Sequence, residues 1–451
     1  MAGKRWAARL ARWVGALLLV VVLGGLAWLA VAPPDLLRIG AGYTAKIVCS
    51  NLFIAGREPD AVFAQDVQAP GNPLLRLFTI DVDREAGVVQ ASFLGFAARN
   101  QAVHRPGFGC TTVASGDIAG FRALPVPPPA ALPERDEGAP WPQGNAPVPD
   151  PSLAAVLADD NLTGPGMRGV VVVRDGRLVA ERYAEGFSAD MPMLGWSMTK
   201  TVTAALLGIA LDRLGGTEKA ALRPDWTDGR RDITLAQLMG MASGLRFQED
   251  YGGVSDANRM LFLEPDMAGF AASLPLAVPP GTQFNYSSGT TLILARLLQN
   301  SFPSAAEGLD FPRRALFGPL GMRSAVFETD AANTFAGSFY LYATPRDWAR
   351  FGQFLRQDGV WDDRPVLPPG FVAWMREPSP PSKGLYGRGQ LWLATNESGL
   401  PPDTFWLRGH DGQFMAVVPS ERLVVVRMGL TPRRENYSPD ALVRALAGVE
   451  R

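Results

Sequence analysis

The sequence predicts an α/β (α+β) domain in which hairpins at the two ends of a long stretch join into one antiparallel sheet flanked by helices. Three observations carry this. "GVVVVRDGRLVAERYAEG" is a hairpin turning at Asp175-Gly176, because Asp-Gly supplies the positive φ that a two-residue turn demands. "FMAVVPSERLVVVRMG" is a second hairpin, followed by "SPDALVRALAGV" as a final helix. Between them, residues 197–214 and "TLILARLLQ" are helical. The middle of the first, "VTAALLGIAL", is apolar nearly all round, which marks a buried helix, and Gly215-Gly216 ends it. This domain covers residues 153–451.

The elements before it follow in order. Residues 1–12 carry Lys4, Arg5, Arg9 and Arg12. Residues 13–32, "WVGALLLVVVLGGLAWLAVA", hold no charge and are long enough to span a bilayer as a helix, with the basic flank on the cytoplasmic side. Two readings stand: a retained transmembrane anchor, or a signal peptide cut after Ala30-Val31-Ala32. The length of the apolar run and Pro33-Pro34 favour the anchor. Either way the remainder is exported. The expected location is a bacterial inner membrane, single-pass, with the large domain in the periplasm, or secretion if the segment is removed.

Residues 33–123 form a small β-rich accessory region. "LLRLFTIDVDREAGVVQASFLGFA" gives two strands around Glu85-Ala86-Gly87, and the lone His104 is structural. Cys49 and Cys110 are the only cysteines. In an oxidising compartment an even pair suggests one disulfide; two separate buried thiols are the alternative. Residues 124–152 are so rich in proline that the backbone has few donors for a regular ladder, which leaves a semi-rigid linker or a surface-wrapping segment.

Composition excludes several functions. A chain of 451 residues with net charge −1 suits one large domain with appendages and has no field that gathers nucleic acid. Two histidines and two cysteines cannot build a three-histidine or four-cysteine metal site, and no metal or organic cofactor is expected. Of 43 basic residues only five are lysines: Lys4, Lys46, Lys200, Lys219 and Lys383. A buried lysine can lose its proton, which an arginine cannot, so each lysine is a candidate base.

"LGWSMTKTVTAALLG" places Ser197 three residues before Lys200, on one face of a helix start. Serine there is a favoured helix cap. It is equally a nucleophile whose proton a neutral, buried lysine could take. Further on, "GTQFNYSSGTTLILARLL" sets Tyr286-Ser287-Ser288 before a buried helix, and "WLRGHDGQFMAVVPS" sets His410-Asp411-Gly412 at the mouth of a strand.

With this order of motifs the chain resembles the serine β-lactamase and penicillin-binding-protein superfamily. More narrowly it resembles the class C-like branch with its esterases and 6-aminohexanoate-dimer hydrolases. "ITLAQLMGMASGL", "FPRRALFGPLGM" and "YATPRDWARFGQFL" have the family's look and order. The resemblance implies a β-lactamase-like fold with an added all-helical subdomain. It makes Ser197 the acylated nucleophile, Lys200 its base and Tyr286 the proton shuttle to the leaving group. It puts Ser288, His410, Gly412 and Tyr251 along the substrate and makes the backbone N–H groups of Ser197 and Gln413 the oxyanion hole. The accessory region, with "AKIVCSNLFIAGRE" and "GFGCT", also looks like exported members of this group. Ser288 stands where penicillin-recognising members have asparagine, and His410-Asp411 replaces their Lys-Thr. The implied function is therefore a membrane-anchored serine hydrolase of small esters or amides. The alternatives are a D-Ala-D-Ala carboxypeptidase or β-lactamase, and a binding protein that kept the fold without activity. Arg346 and Asp347 mark a helix start, with Asp347 complementing the helix dipole.

Overall fold

The computed structural model describes residues 2–128, 132, 135–432 and 435–448. Met1 of the basic terminus, residues 129–131 and 133–134 of the proline-rich segment, and residues 433–434 and 449–451 of the large domain lie outside the described residues.

Helix α1 (Ala2–Val31) contains the apolar stretch Arg9–Val31, long and apolar enough to cross a membrane, and near its end Leu29 packs against the core of the small sheet that follows. Helix α2 (Asp35–Phe53) follows and lies on a four-stranded antiparallel sheet of β1 (Phe78–Asp83), β2 (Val88–Phe93), β3 (Ala97–Arg105) and β4 (Gly109–Thr112). The turn around Glu85-Ala86-Gly87 joins β1 to β2. Helix α2 is not visible in the hydrophobic periodicity because it is buried on nearly every side. Ala41, Ala45 and Val48 meet the small sheet, while Ile39 joins the core of the large domain.

Cys49 of α2 and Cys110 of β4 form a disulfide, their Cα atoms 6.0 Å apart. His104 stacks on Phe53, ring centroids 4.6 Å apart, and burial lowers its pKa. The accessory region is fastened to the large domain by buried charge. Lys46 pairs with Glu328, whose carboxylate also accepts from the Ser50 hydroxyl at 2.8 Å and the Cys110 N–H at 2.6 Å. Asp66 is held by both Arg57 and Arg168, each at 2.6 Å. Pairs this deeply buried are costly to break from one side, so the two parts share one rigid seam.

The described part of the proline-rich segment is not a free linker. Val148 and Asp150 donate to the carbonyls of Leu178 and Val179, both at 2.8 Å. Trp141 is buried, and Arg350 donates to the Pro142 carbonyl at 3.0 Å.

The central sheet contains β5 (Met167–Arg174), β6 (Arg177–Tyr183), β7 (Trp392–Leu393), β8 (Phe405–Arg408), β9 (Phe414–Val418) and β10 (Leu423–Gly429), in the spatial order β7-β8-β9-β10-β5-β6 and antiparallel throughout. The first and last hairpins meet where Val424 faces Val173 and Val426 faces Val171. The helices that matter for the site are α3 (Thr199–Ile209), α4 (Ser288–Asn300), α5 (Pro345–Arg356) and α6 (Asp440–Ala447). α5 covers one face of the sheet, and α6 with Pro151–Leu157 covers the other. α3 and α4 are buried beside the short helices Leu235–Met239, Asp256–Phe262 and Met267–Ser273.

One sequence expectation needs correction, and another gains a further role. The helix expected over 197–214 begins at Thr199, breaks at Ala210 and resumes over Leu211–Leu214 before Gly215 in the left-handed conformation. Ser197 itself lies in a 3₁₀ turn, Trp196–Met198. Asp347 does more than complement a dipole. It forms a buried ion pair with Arg350 at 2.7 Å and accepts from the Ser324 N–H at 2.9 Å, while Thr344 caps the helix.

Candidate active site

The turn that carries Ser197 is built by close approach. A side chain at Gly195 would strike the Trp348 indole, and one at Gly409 would strike the Gly195 carbonyl. Two glycines thus let the Ser197 turn, α5 and the loop before β9 come together. Trp196, between them, has φ +48°, a left-handed conformation that costs a bulky residue of order 1–3 kcal/mol. It is held there between the rings of Tyr340 and His410, at 6.0 and 5.6 Å. Ser197 is half-buried.

One helical turn on, Lys200 is fully buried. Its Nζ lies 3.1 Å from Ser197 Oγ, 2.9 Å from Ser288 Oγ and 3.1 Å from the Ser338 carbonyl oxygen. The Phe339 and Tyr286 rings sit 4.7 and 4.9 Å from it. Burial among these rings penalises the ammonium and lowers the Lys200 pKa to about 8, with the Glu249 carboxylate pulling the other way.

Tyr286 is wedged between Trp392 and Tyr386, ring centroids 5.4 and 5.8 Å away. Burial, reinforced by the charge of Glu249, pushes its pKa up against an opposing effect of the nearby Ser197 hydroxyl. The phenol therefore keeps its proton near neutrality, and the group able to give up a proton there is the lysine.

Ser288 is fully buried at the start of α4. Its hydroxyl is enclosed between Lys200 and Glu249. It donates to Glu249 Oε1 at 2.5 Å, and its N–H donates to Glu249 Oε2 at 2.8 Å. Tyr251 donates its phenol to the same carboxylate, and its ring lies 5.2 Å from His410. The sequence reading passed over Glu249. Its one signal was an acid two residues before a tyrosine in "FQEDYGG".

His410 packs against Trp196 and Tyr251 and lies 3.4 Å from Asp411. Gly412 has φ +80°, and a Cβ there would meet Arg427 and Thr431 at 2.9 Å. Its positive φ and the protein's own packing already require a glycine there. The Gln413 side chain is turned to the end of β10, accepting from the Gly429 N–H at 2.7 Å. The structure thus gathers Ser197, Lys200, Tyr286, Ser288, Tyr251 and His410 in one place. Among the described residues no group of three or more His, Cys, Asp or Glu side chains is arranged to hold a metal ion.

Comparison with known proteins adds the family. Residues 157–448 match the family described as Beta-lactamase. Among solved structures, a protein described as a 6-aminohexanoate-dimer hydrolase from Bacillus anthracis is 24% identical with TM-score 0.55, covering 71% of this chain and 87% of that one. A protein described as a β-lactamase from Bacteroides dorei is 20% identical with TM-score 0.54, covering 66% and 97%. A penicillin-binding-protein homologue from Caulobacter crescentus is 16% identical with TM-score 0.50, covering 68% and 99%. No curated protein matches the chain significantly.

Proposed function

The chain belongs to the Beta-lactamase family, a β-lactamase-fold serine hydrolase, and on that premise we propose that it cleaves ester or small amide bonds through an acyl-enzyme on Ser197. The observation that carries this reading is the buried Lys200 amine 3.1 Å from the Ser197 hydroxyl, with its pKa lowered to about 8. Neutral Lys200 takes the Ser197 proton as the oxygen attacks the carbonyl. The oxyanion is received by the backbone N–H groups of Ser197 and Gln413, each such donor contributing roughly 3 kcal/mol to the transition state. Tyr286, which stays protonated, gives its proton to the departing alcohol or amine and recovers one from Lys200. Water then hydrolyses the acyl-enzyme by the reverse relay, and serine and lysine return to their starting states. The apolar helix α1 tethers the enzyme to a membrane, with the large domain on the periplasmic side.

Substrate class is read from a panel of p-nitrophenyl esters, linear amides and the chromogenic cephalosporin nitrocefin. Turnover of esters or amides with nitrocefin left intact supports the proposal; turnover of nitrocefin alone overturns the substrate assignment. Tyr286→Phe keeps the ring between Trp392 and Tyr386 and removes the proton donor. It is expected to slow amide cleavage by about 100-fold or more. The loss on p-nitrophenyl esters is smaller, because nitrophenolate leaves without a proton. Steady-state kinetics on matched ester and amide substrates check the difference.

A further inference from the structure

We infer that Glu249 is a positioning residue that fixes the direction of the proton relay by keeping the Ser288 hydroxyl pointed away from Lys200. The inference rests on the proposed hydrolase reading and deepens it.

The reasoning is a count of hydrogens. An ionised carboxylate only accepts, so at Glu249 every contact must be a donor's. The Ser288 hydroxyl at 2.5 Å, the Ser288 N–H at 2.8 Å and the Tyr251 phenol fill that requirement. With its proton committed to Glu249, Ser288 Oγ can meet the Lys200 amine at 2.9 Å only as an acceptor. The Ser338 carbonyl, at 3.1 Å from the same amine, is also an acceptor. A neutral amine has two N–H bonds and one lone pair. Both N–H bonds are taken, and the lone pair is left for the remaining neighbour, the Ser197 hydroxyl. When Ser197 passes its proton to that lone pair, the new ammonium holds three N–H bonds. They meet the Ser197 oxygen, Ser288 and Ser338, and the Glu249 charge sits one hydroxyl away. Without Glu249 the Ser288 hydroxyl is free to turn and donate to the lone pair, which takes the base away from Ser197.

Glu249 therefore has two separable effects. Its geometry frees the lone pair, and its charge favours the ammonium, holding the lysine proton on to higher pH. The test is the pH profile of kcat/KM on a p-nitrophenyl ester for the full chain and for Glu249→Gln, Glu249→Ala and Glu249→Asp, with thermal melting to confirm folding. Both neutral variants are expected to move the acid limb to lower pH by about one unit and to lower the plateau, by about tenfold for Gln and about 100-fold for Ala. Glu249→Asp keeps the charge and leaves the limb near its wild-type position, which a purely structural role would not produce. Either neutral variant that folds carries the test. An unshifted limb in a folded neutral variant overturns the inference and leaves the hydrolase reading standing. Failure of both neutral variants to fold also overturns it, since Glu249 would then serve stability. A wild type inert on every substrate, and unlabelled by a fluorophosphonate, overturns the hydrolase reading and the inference with it.

Discussion

Ser197→Ala is expected to reduce hydrolysis by about a million-fold and to abolish labelling by a fluorophosphonate probe, while the protein melts as the wild type does. The size follows from the chemistry: without the oxygen there is no acyl-enzyme, and knocking out a serine nucleophile elsewhere costs on that order. The unchanged melting follows from the structure. Ser197 lies in a short 3₁₀ turn shaped by the Gly195 and Gly409 approaches and by Trp196, none of which uses its hydroxyl. Labelling that persists in Ser197→Ala would move the nucleophile elsewhere.

Lys200→Met is expected to cost roughly 1,000-fold or more in kcat, without lowering the thermal midpoint at pH 7. Methionine has nearly the length of the lysine stem and no charge. It removes the base while relieving a burial so unfavourable to the ammonium that the lysine pKa falls to about 8. What is lost in exchange is hydrogen bonding to Ser288 and Ser338, each bond contributing about 1 kcal/mol net. Active sites are where such exchanges between stability and activity occur. A sharp fall in both activity and midpoint would instead make Lys200 a structural residue.

The reach of sequence reasoning is explained by separation along the chain. Ser197 and Lys200 are three apart, so helical geometry alone brings them together. The strands were legible because their apolar runs and the Asp175-Gly176 turn are local signals, and β10 beside β5 followed from hairpins at the two ends. Glu249 was not legible. It acts through Ser288, 39 residues away, and no local pattern distinguishes its carboxylate from a solvated one. Helix α2 escaped for another reason: a helix covered on all sides has no apolar stripe to read. Lys46 was singled out only by the scarcity of lysines. Its partner Glu328, 282 residues on, shows only in the fold. The partners of Ser288 and the crowding at Gly412 were not legible either, because both come from residues distant in the chain. Ser288 is enclosed by Lys200 and Glu249; Gly412 is crowded by Arg427 and Thr431.

The account stands on a Lys200 that loses its proton near pH 8, which leaves about a tenth of it uncharged at pH 7, and the ammonium can be titrated directly. With lysines labelled with ¹³C at Cε, five side chains give five NMR resonances, and Lys200→Arg identifies the one that matters. The expected midpoint for that resonance is about 8. A midpoint at 10.5, the ordinary lysine value, would mean that the amine beside Ser197 is charged throughout the physiological range, and the proposed base would not exist.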